Sequence, residues 1–200
     1  MSAQFFDLRD DVELPGRWFL KGPFDAAGWR IDGRVFTEGK LISGKLPVWG
    51  GGPVDAQPPL TIPIRHMGTE LAFTFADFDM PVVTAELGQA LERLAPDQVQ
   101  RIPVHVESVS RPFEILNVTS TIPCLDEAKS VYRWWTEADG EPEKIGKYMG
   151  VHPISIIQEK TAGRDLFRIS GWEIALIVSA RVKNLFDSFG VCGVKFKSVT

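Results

Sequence analysis

Apolar and polar positions change rhythm along this chain, and the changes mark its elements. Leu71, Phe73 and Phe75 alternate with Ala72 and Thr74, the two-residue period of a strand. Asp77-Phe78-Asp79 turns the chain into Pro81-Val82-Val83. Thr84 then stands as a helix N-cap, and Leu87, Ala90, Leu91 and Leu94 recur at helical spacing up to a stop at Pro96. Residues 98–107 and 113–118 read as strands. The same plan recurs at the C-terminal end. A strand over 166–170 and a turn at Gly171-Trp172-Glu173 lead to a second strand over 174–178. Ser179 caps a helix carrying Val182, Leu185, Phe186 and Phe189, Gly190 ends it, and residues 194–199 form a last strand.

Laid side by side, Phe73-Thr-Phe-Ala-Asp-Phe-Asp-Met matches Phe167-Arg-Ile-Ser-Gly-Trp-Glu-Ile in character. After one inserted residue, Ala175, the run Pro81-Val-Val-Thr-Ala matches Leu176-Ile-Val-Ser-Ala. Leu87, Leu91, Leu94 and Val99 then fall on Val182, Phe186, Phe189 and Val194 without a gap. The pattern predicts two copies of a strand-turn-strand-helix-strand unit, at 73–104 and 167–199. Chance likeness of two amphipathic stretches is the alternative. Either way the predicted fold class is α+β, with a mixed or antiparallel sheet and few short helices; helices are too few for a doubly wound parallel sheet.

Residues 1–60 lack such order. Trp18-Phe19-Leu20 and Leu41-Ile42 are short apolar runs, Gly50-Gly51-Gly52-Pro53 marks a loop, and Gln57-Pro58-Pro59 closes the region. This predicts a loop-rich flank packed on residues 61–200, within one domain spanning 1–200.

Composition narrows the possible functions. The 200 residues carry 22 Lys and Arg against 26 Asp and Glu, a net charge of -4 that argues against nucleic acid and suits a basic partner. No apolar run approaches the roughly 18 residues of a membrane helix, and the N-terminus has acids where a signal peptide has bases. The expectation is a cytoplasmic protein with no membrane partner. Cys124 and Cys192 are too few for a disulfide framework or a four-cysteine zinc site, and both are expected as packed core thiols.

Catalytic signatures are weak. His105-Val-Glu107 followed by Pro123-Cys124 has part of the zinc-deaminase pattern, but Glu127 stands where its second cysteine belongs. His105 then reads as a strand-surface residue, and His66 and His152 have no metal-ligand spacing. No G-x-S-x-G is present, the glycine run at 50–52 lacks the Lys-Ser/Thr of a phosphate loop, and Asp126 and Glu127 disfavour a Cys124 thiolate. The reading is a non-catalytic protein with no cofactor and no metal.

Charge and aromatics remain. Residues 126–143 hold six acids, Asp126, Glu127, Glu137, Asp139, Glu141 and Glu143, against Lys129 and Arg133. Within them Ala128, Val131, Tyr132 and Trp135 fall on one helical face, and Trp134 points away from it. Read functionally, Trp134, Trp135, Glu137, Asp139, Glu141 and Glu143 make a hot spot that steers a basic partner. The plainer reading is a solvated acidic loop with both tryptophans packed on the body. A second acidic cluster, Asp7, Asp10, Asp11 and Glu13, reads as ordinary surface.

Several stretches from about residue 60 onward carry a family likeness. They are Pro81-Val-Val-Thr-Ala-Glu-Leu, Phe113-Glu-Ile-Leu-Asn-Val, Cys124-Leu-Asp-Glu-Ala-Lys-Ser130, Leu166-Phe-Arg-Ile-Ser-Gly, and Ile177-Val-Ser-Ala-Arg-Val-Lys with Gly190-Val-Cys-Gly-Val-Lys-Phe. Together they resemble the eleventh immunity family of bacterial polymorphic-toxin systems, earlier known only as a domain of unknown function. The resemblance implies an antitoxin that binds a cognate toxin domain, encoded by the adjacent gene, and neutralises it by stoichiometric occlusion. Toxins of such systems are often nucleases, whose basic clefts suit an acidic inhibitor. The competing expectations are an adaptor or small-ligand-binding module using a groove between the two units, which an aromatic-lined pocket of about 300 Å³ or more would support, and an enzyme built on Cys124 and a histidine.

Overall fold

The structure, a computed structural model, describes residues 4–55 and 59–200. Gln57 and Pro58 of the expected flank boundary lie outside the described residues. In chain order the strands begin with β1 (Phe5–Asp10), β2 (Phe19–Leu20), β3 (Leu46–Pro47), β4 (Pro53–Val54), β5 (Leu60–Ile62) and β6 (Ile64–His66). The first repeated unit supplies β7 (Phe73–Ala76), β8 (Met80–Thr84), helix α1 (Ala85–Leu94) and β9 (Val99–Val106), followed by β10 (Phe113–Val118). Next come β11 (Thr121–Ile122), β12 (Tyr132–Trp134) and β13 (Tyr148–Val151). The second unit is β14 (Leu166–Ile169), β15 (Trp172–Ser179), helix α2 (Ala180–Ser188) and β16 (Val194–Val199).

Local chemistry explains why the two units begin and end alike. The Thr84 hydroxyl accepts from the Leu87 amide and opens α1; the Ser179 hydroxyl accepts from the amides of Arg181 and Val182 and opens α2. Leu87, Ala90 and Leu91 bury one face of α1, and Val182 and Phe186 bury one face of α2. Gly190, at φ +62°, takes the left-handed conformation beyond the end of α2.

The strands assemble into two five-stranded mixed sheets, with orders β5-β9-β10-β8-β7 and β11-β14-β15-β1-β16. Their plans correspond. In the first sheet β10 lies between β8 and β9, pairing Phe113 with Thr84 and with Val104. In the second, β1 lies between β15 and β16, pairing Phe5 with Ser179 and with Val199. Phe5 and Phe113 thus occupy the same place. The central strand follows its unit in one half and precedes it by most of the chain in the other. The fold is α+β and dominated by sheet.

The structure shifts one part of the sequence match. Phe73 pairs with Val83 while Leu166, not Phe167, pairs with Val178. Phe73 and Leu166 both face the core shared by the halves, whereas Phe167 faces the other side. A one-residue slip exchanges the two faces of a strand, so burial decides the register. The residue added at Ala175 is absorbed in an irregularity opposite Arg168 and Ile169.

The two units meet through their helical sides. Phe73, Phe75, Leu87 and Leu91 of the first form one core with Leu166, Val178, Val182 and Phe186 of the second. The outer face of the first sheet is covered by residues of the N-terminal flank, among them Trp18, Ile31, Phe36 and Val48. The outer face of the second is covered by Cys124, Leu125, Tyr148, Val151, Ile154 and Ile156. With both faces covered, β8 and β10 are buried along their whole length rather than alternately. The polar residues this encloses in β10 are partnered, Glu114 by Arg101 and Asn117 by the Lys40 carbonyl and Gln100.

The flank holds one element that its composition concealed: β1 is the fourth strand of the second sheet. Of the acidic cluster on and after it, Glu13 is surface as expected, but Asp7 and Asp10 are not. Asp7 is 4% exposed, and Asp10 accepts at 2.7 Å from buried Arg17, whose other terminal nitrogen donates to Thr74 of the opposite sheet. Burial pushes the Asp7 carboxyl above its ordinary value of 3.8 although Arg9 donates to it at 2.5 Å. An acid whose folded pKa is raised weakens the fold most at pH values above that pKa. The penalty is lost as pH falls through it toward 3.8. Asp7→Asn is therefore expected to raise the melting temperature at pH 7.5, and the gain should vanish below about pH 3.8. Thermal melts across that range check it, and a gain that is constant with pH would contradict the ionisation argument.

Candidate partner-binding face

The acidic segment folds as a hairpin, not as a helix. β12 pairs with β13 through Tyr132↔Val151, Arg133↔Gly150 and Trp134↔Tyr148. The spacing of Ala128, Val131, Tyr132 and Trp135 imitates a helical face, but the backbone hydrogen bonds run between strands. Trp134, 37% exposed, stacks on Tyr148 with ring centres 4.2 Å apart, and Tyr148 donates to Glu127 at 2.5 Å. Trp135 is half-buried beneath Lys144, whose Nζ lies 4.6 Å from the ring centre.

Beyond the hairpin the acids divide by role. Asp139 accepts from the amide and hydroxyl of Thr136 and pairs with Arg133; those Thr136 bonds, side-chain first, hold its carboxyl below the usual range. It is spent on shaping the turn. Glu141 pairs with Lys144 at 3.4 Å. Glu137 and Glu143 are exposed. Glu143 is held low by its own amide first, then by Glu141, Lys144 and Arg34.

That last neighbour joins the acidic segment to a cluster that sequence reading missed. Arg34, held charged by Asp32 foremost and by Glu143 among others, lies 5.2 Å from the ring centre of Trp49 and 5.6 Å from that of Phe78. The two rings stack 5.2 Å apart at 22°, and Trp49 and Phe78 are 47% and 40% exposed. Arg30 also lies over Trp49, at 5.0 Å. Asp77 clamps the turn, accepting from Arg30 at 2.7 Å and Arg65 at 3.0 Å. The sequence did carry one signal: a phenylalanine between two aspartates, in a turn where polar residues are the rule.

The remaining candidates fall elsewhere. Cys124 is buried, and burial pushes its thiol up to about 11, far from a thiolate at neutral pH. Cys192 is exposed, contrary to expectation, because it lies past the end of α2 in the turn before β16. His105 is exposed on β9, His66 packs edge-on against Phe19, and the His152 ring nitrogens lie 3.0 and 3.2 Å from Lys197. Among the described residues no three His, Cys, Asp or Glu are grouped to hold a metal. No helix among them is long and apolar enough to cross a membrane.

A cleft of about 270 Å³ does open between the halves, lined by Asp7, Asp10, Phe75, Asp79, Trp172 and Ile174 among others. Burial raises the carboxyls of all three aspartates. Arg168 lies deep beside it and donates to the carbonyls of Glu173 at 2.6 Å and of Asp79 at 3.4 Å. Its burial without a carboxylate contact pushes the guanidinium down to about 10. The cleft falls short of the roughly 300 Å³ at which small-ligand sites begin. A larger hollow of about 570 Å³ beside β5 and β9, lined by Leu60, Ile102, His105, Val109 and Arg111 among others, lies away from the junction of the halves and has no Phe, Tyr or Trp in its wall.

This is an α+β protein of two matched halves, with a charged, aromatic face assembled from its irregular segments. The chain belongs to the immunity protein family (Imm11), whose family model matches residues 25–200. The match begins well before residue 60, where the legible likeness started, and takes in most of the flank. Family membership assigns an immunity role against a toxin. No curated protein gives a significant match to the chain.

Proposed function

We propose that this protein is a cytoplasmic antitoxin that binds a cognate toxin domain, encoded by the adjacent gene, and neutralises it by stoichiometric occlusion without catalysis. The family match over residues 25–200 carries this reading. The chain's net charge of -4 supports a toxin with a basic cleft, such as a nuclease, and argues against nucleic acid or membrane as a direct partner. Trp134, Trp135, Glu137, Asp139, Glu141 and Glu143 are offered as part of the contact, with distinct parts. Glu137 and Glu143 steer, while Asp139 holds the turn that presents them.

Co-expression of the adjacent-gene toxin with and without this chain tests the role. Rescue of growth and a stable one-to-one complex are expected; toxicity without rescue would end this pairing. Within the complex, Glu137→Lys with Glu143→Lys should slow association about tenfold at low salt and much less at 0.5 M, where the screening length falls to about 4 Å. An unchanged rate would remove the acidic segment from the encounter surface.

A further inference from the structure

We propose that the Trp49–Phe78 stack, with Arg30, Arg34 and Arg65 around it, is the anchoring contact for the toxin, and that the toxin segment seated there joins an apolar side chain to a carboxylate. The proposal rests on the antitoxin reading above and extends it to a surface and to the chemistry of what the surface holds.

Presentation is the first argument. Phe78 has φ 60° and ψ 38°, and Asp79 follows at φ 54°. Left-handed backbone is disfavoured for residues with a Cβ and rare for a bulky ring, and here two such residues stand in succession. The turn is held by Asp77 through Arg30 and Arg65, and Gly33 lets its backbone approach closely: a Cβ there would lie 3.1 Å from the Asp77 carbonyl oxygen. The result is an aromatic ring fixed outward rather than folded onto the core, already stacked on a second exposed ring. Preorganised, exposed aromatics beside arginines have the composition of binding hot spots.

Charge supplies the second argument. Three guanidiniums meet Asp32 and Asp77 by ion pairs and have Glu143 beside Arg34, so the cluster is close to balanced in charge. Arg30 and Arg65 each give Asp77 one hydrogen bond out of five N–H donors. The spare donors of Arg30 and Arg65 match a carboxylate, which guanidinium binds in bidentate geometry. Glu143, beside Arg34, has the opposite sign, so the face presents both charges and favours one orientation of a partner.

The test uses full-length protein with two forms of the adjacent-gene toxin, an inactivated one for binding and the active one for rescue of growth. Phe78→Gly should relieve the left-handed turn, leaving the melting temperature equal or higher, yet weaken toxin binding at least tenfold. Arg34→Glu should weaken binding at least tenfold with the fold intact. A purely structural role for Phe78 would make stability and binding fall together, and that result would overturn the proposal. So would wild-type rescue with both variants binding within twofold of wild type, which would leave the antitoxin reading standing and move the contact elsewhere. Failure of wild type itself to bind and rescue would refute the antitoxin reading, and this surface with it.

Discussion

A chain lacking residues 4–11 is expected not to fold. β1 is hydrogen-bonded on both sides, along all six of its residues to β16 and along four to β15. Its removal leaves two facing strand edges unpaired in the middle of the second sheet. It also takes Phe5, Phe6 and Leu8 out of two different cores. Each such side chain contributes about 2 kcal/mol by burial, so the three approach the roughly 5–15 kcal/mol that separates folded from unfolded domains. The lost ladder hydrogen bonds and the Arg17–Asp10 pair add to that deficit. Circular dichroism and gel filtration of residues 12–200 should show an expanded chain without a cooperative melt. A synthetic peptide of residues 4–11, added in excess, should restore native signal by filling the vacant strand position. A truncated chain that melted near the full-length midpoint would refute the structural role of β1.

Phe73→Ala should cost about 3–5 kcal/mol. Phe73 is fully buried, with its ring centre 5.1 Å from Phe75 and 5.2 Å from Phe186 of the second unit. It fills the centre of the core that both halves share, walled by helices on one side and by strands on the other, so neighbouring backbone cannot collapse into the void. The denaturant midpoint should fall steeply with the slope unchanged, as for a loss of packing rather than of compactness. Phe189→Ala, at a 43% exposed position, serves as the comparison and should cost less than about 0.5 kcal/mol. Equal effects at the two sites would mean that the halves are not joined through Phe73.

What could be read from the residues divides along the range of the forces involved. The caps at Thr84 and Ser179 and the strands over 113–118 and 194–199 were legible because their determinants lie within a few residues. The match between the two units was legible for the same reason from Pro81 onward. It slipped by one residue at Phe73, because either register keeps an apolar residue in place and only the shared core distinguishes them. The helix expected near Trp134 failed because apolar spacing of three and four residues also arises in an aromatic hairpin. Neither the candidate face nor the role of Asp7 had a local signature. Trp49, Phe78, Arg30, Arg65 and Glu143 come from separate segments, and no periodicity connects them.

The α+β class, the two strand-helix units, the absence of a long apolar span and the likeness to an immunity family were all written in the order of the residues. These follow from hydrophobic period, caps and composition, which act over short separations. The tertiary structure decided which strand completes each sheet, which acids are buried, and which rings and guanidiniums share one face. Those outcomes depend on pairings between distant segments, where burial of the whole core selects among registers that are locally equivalent.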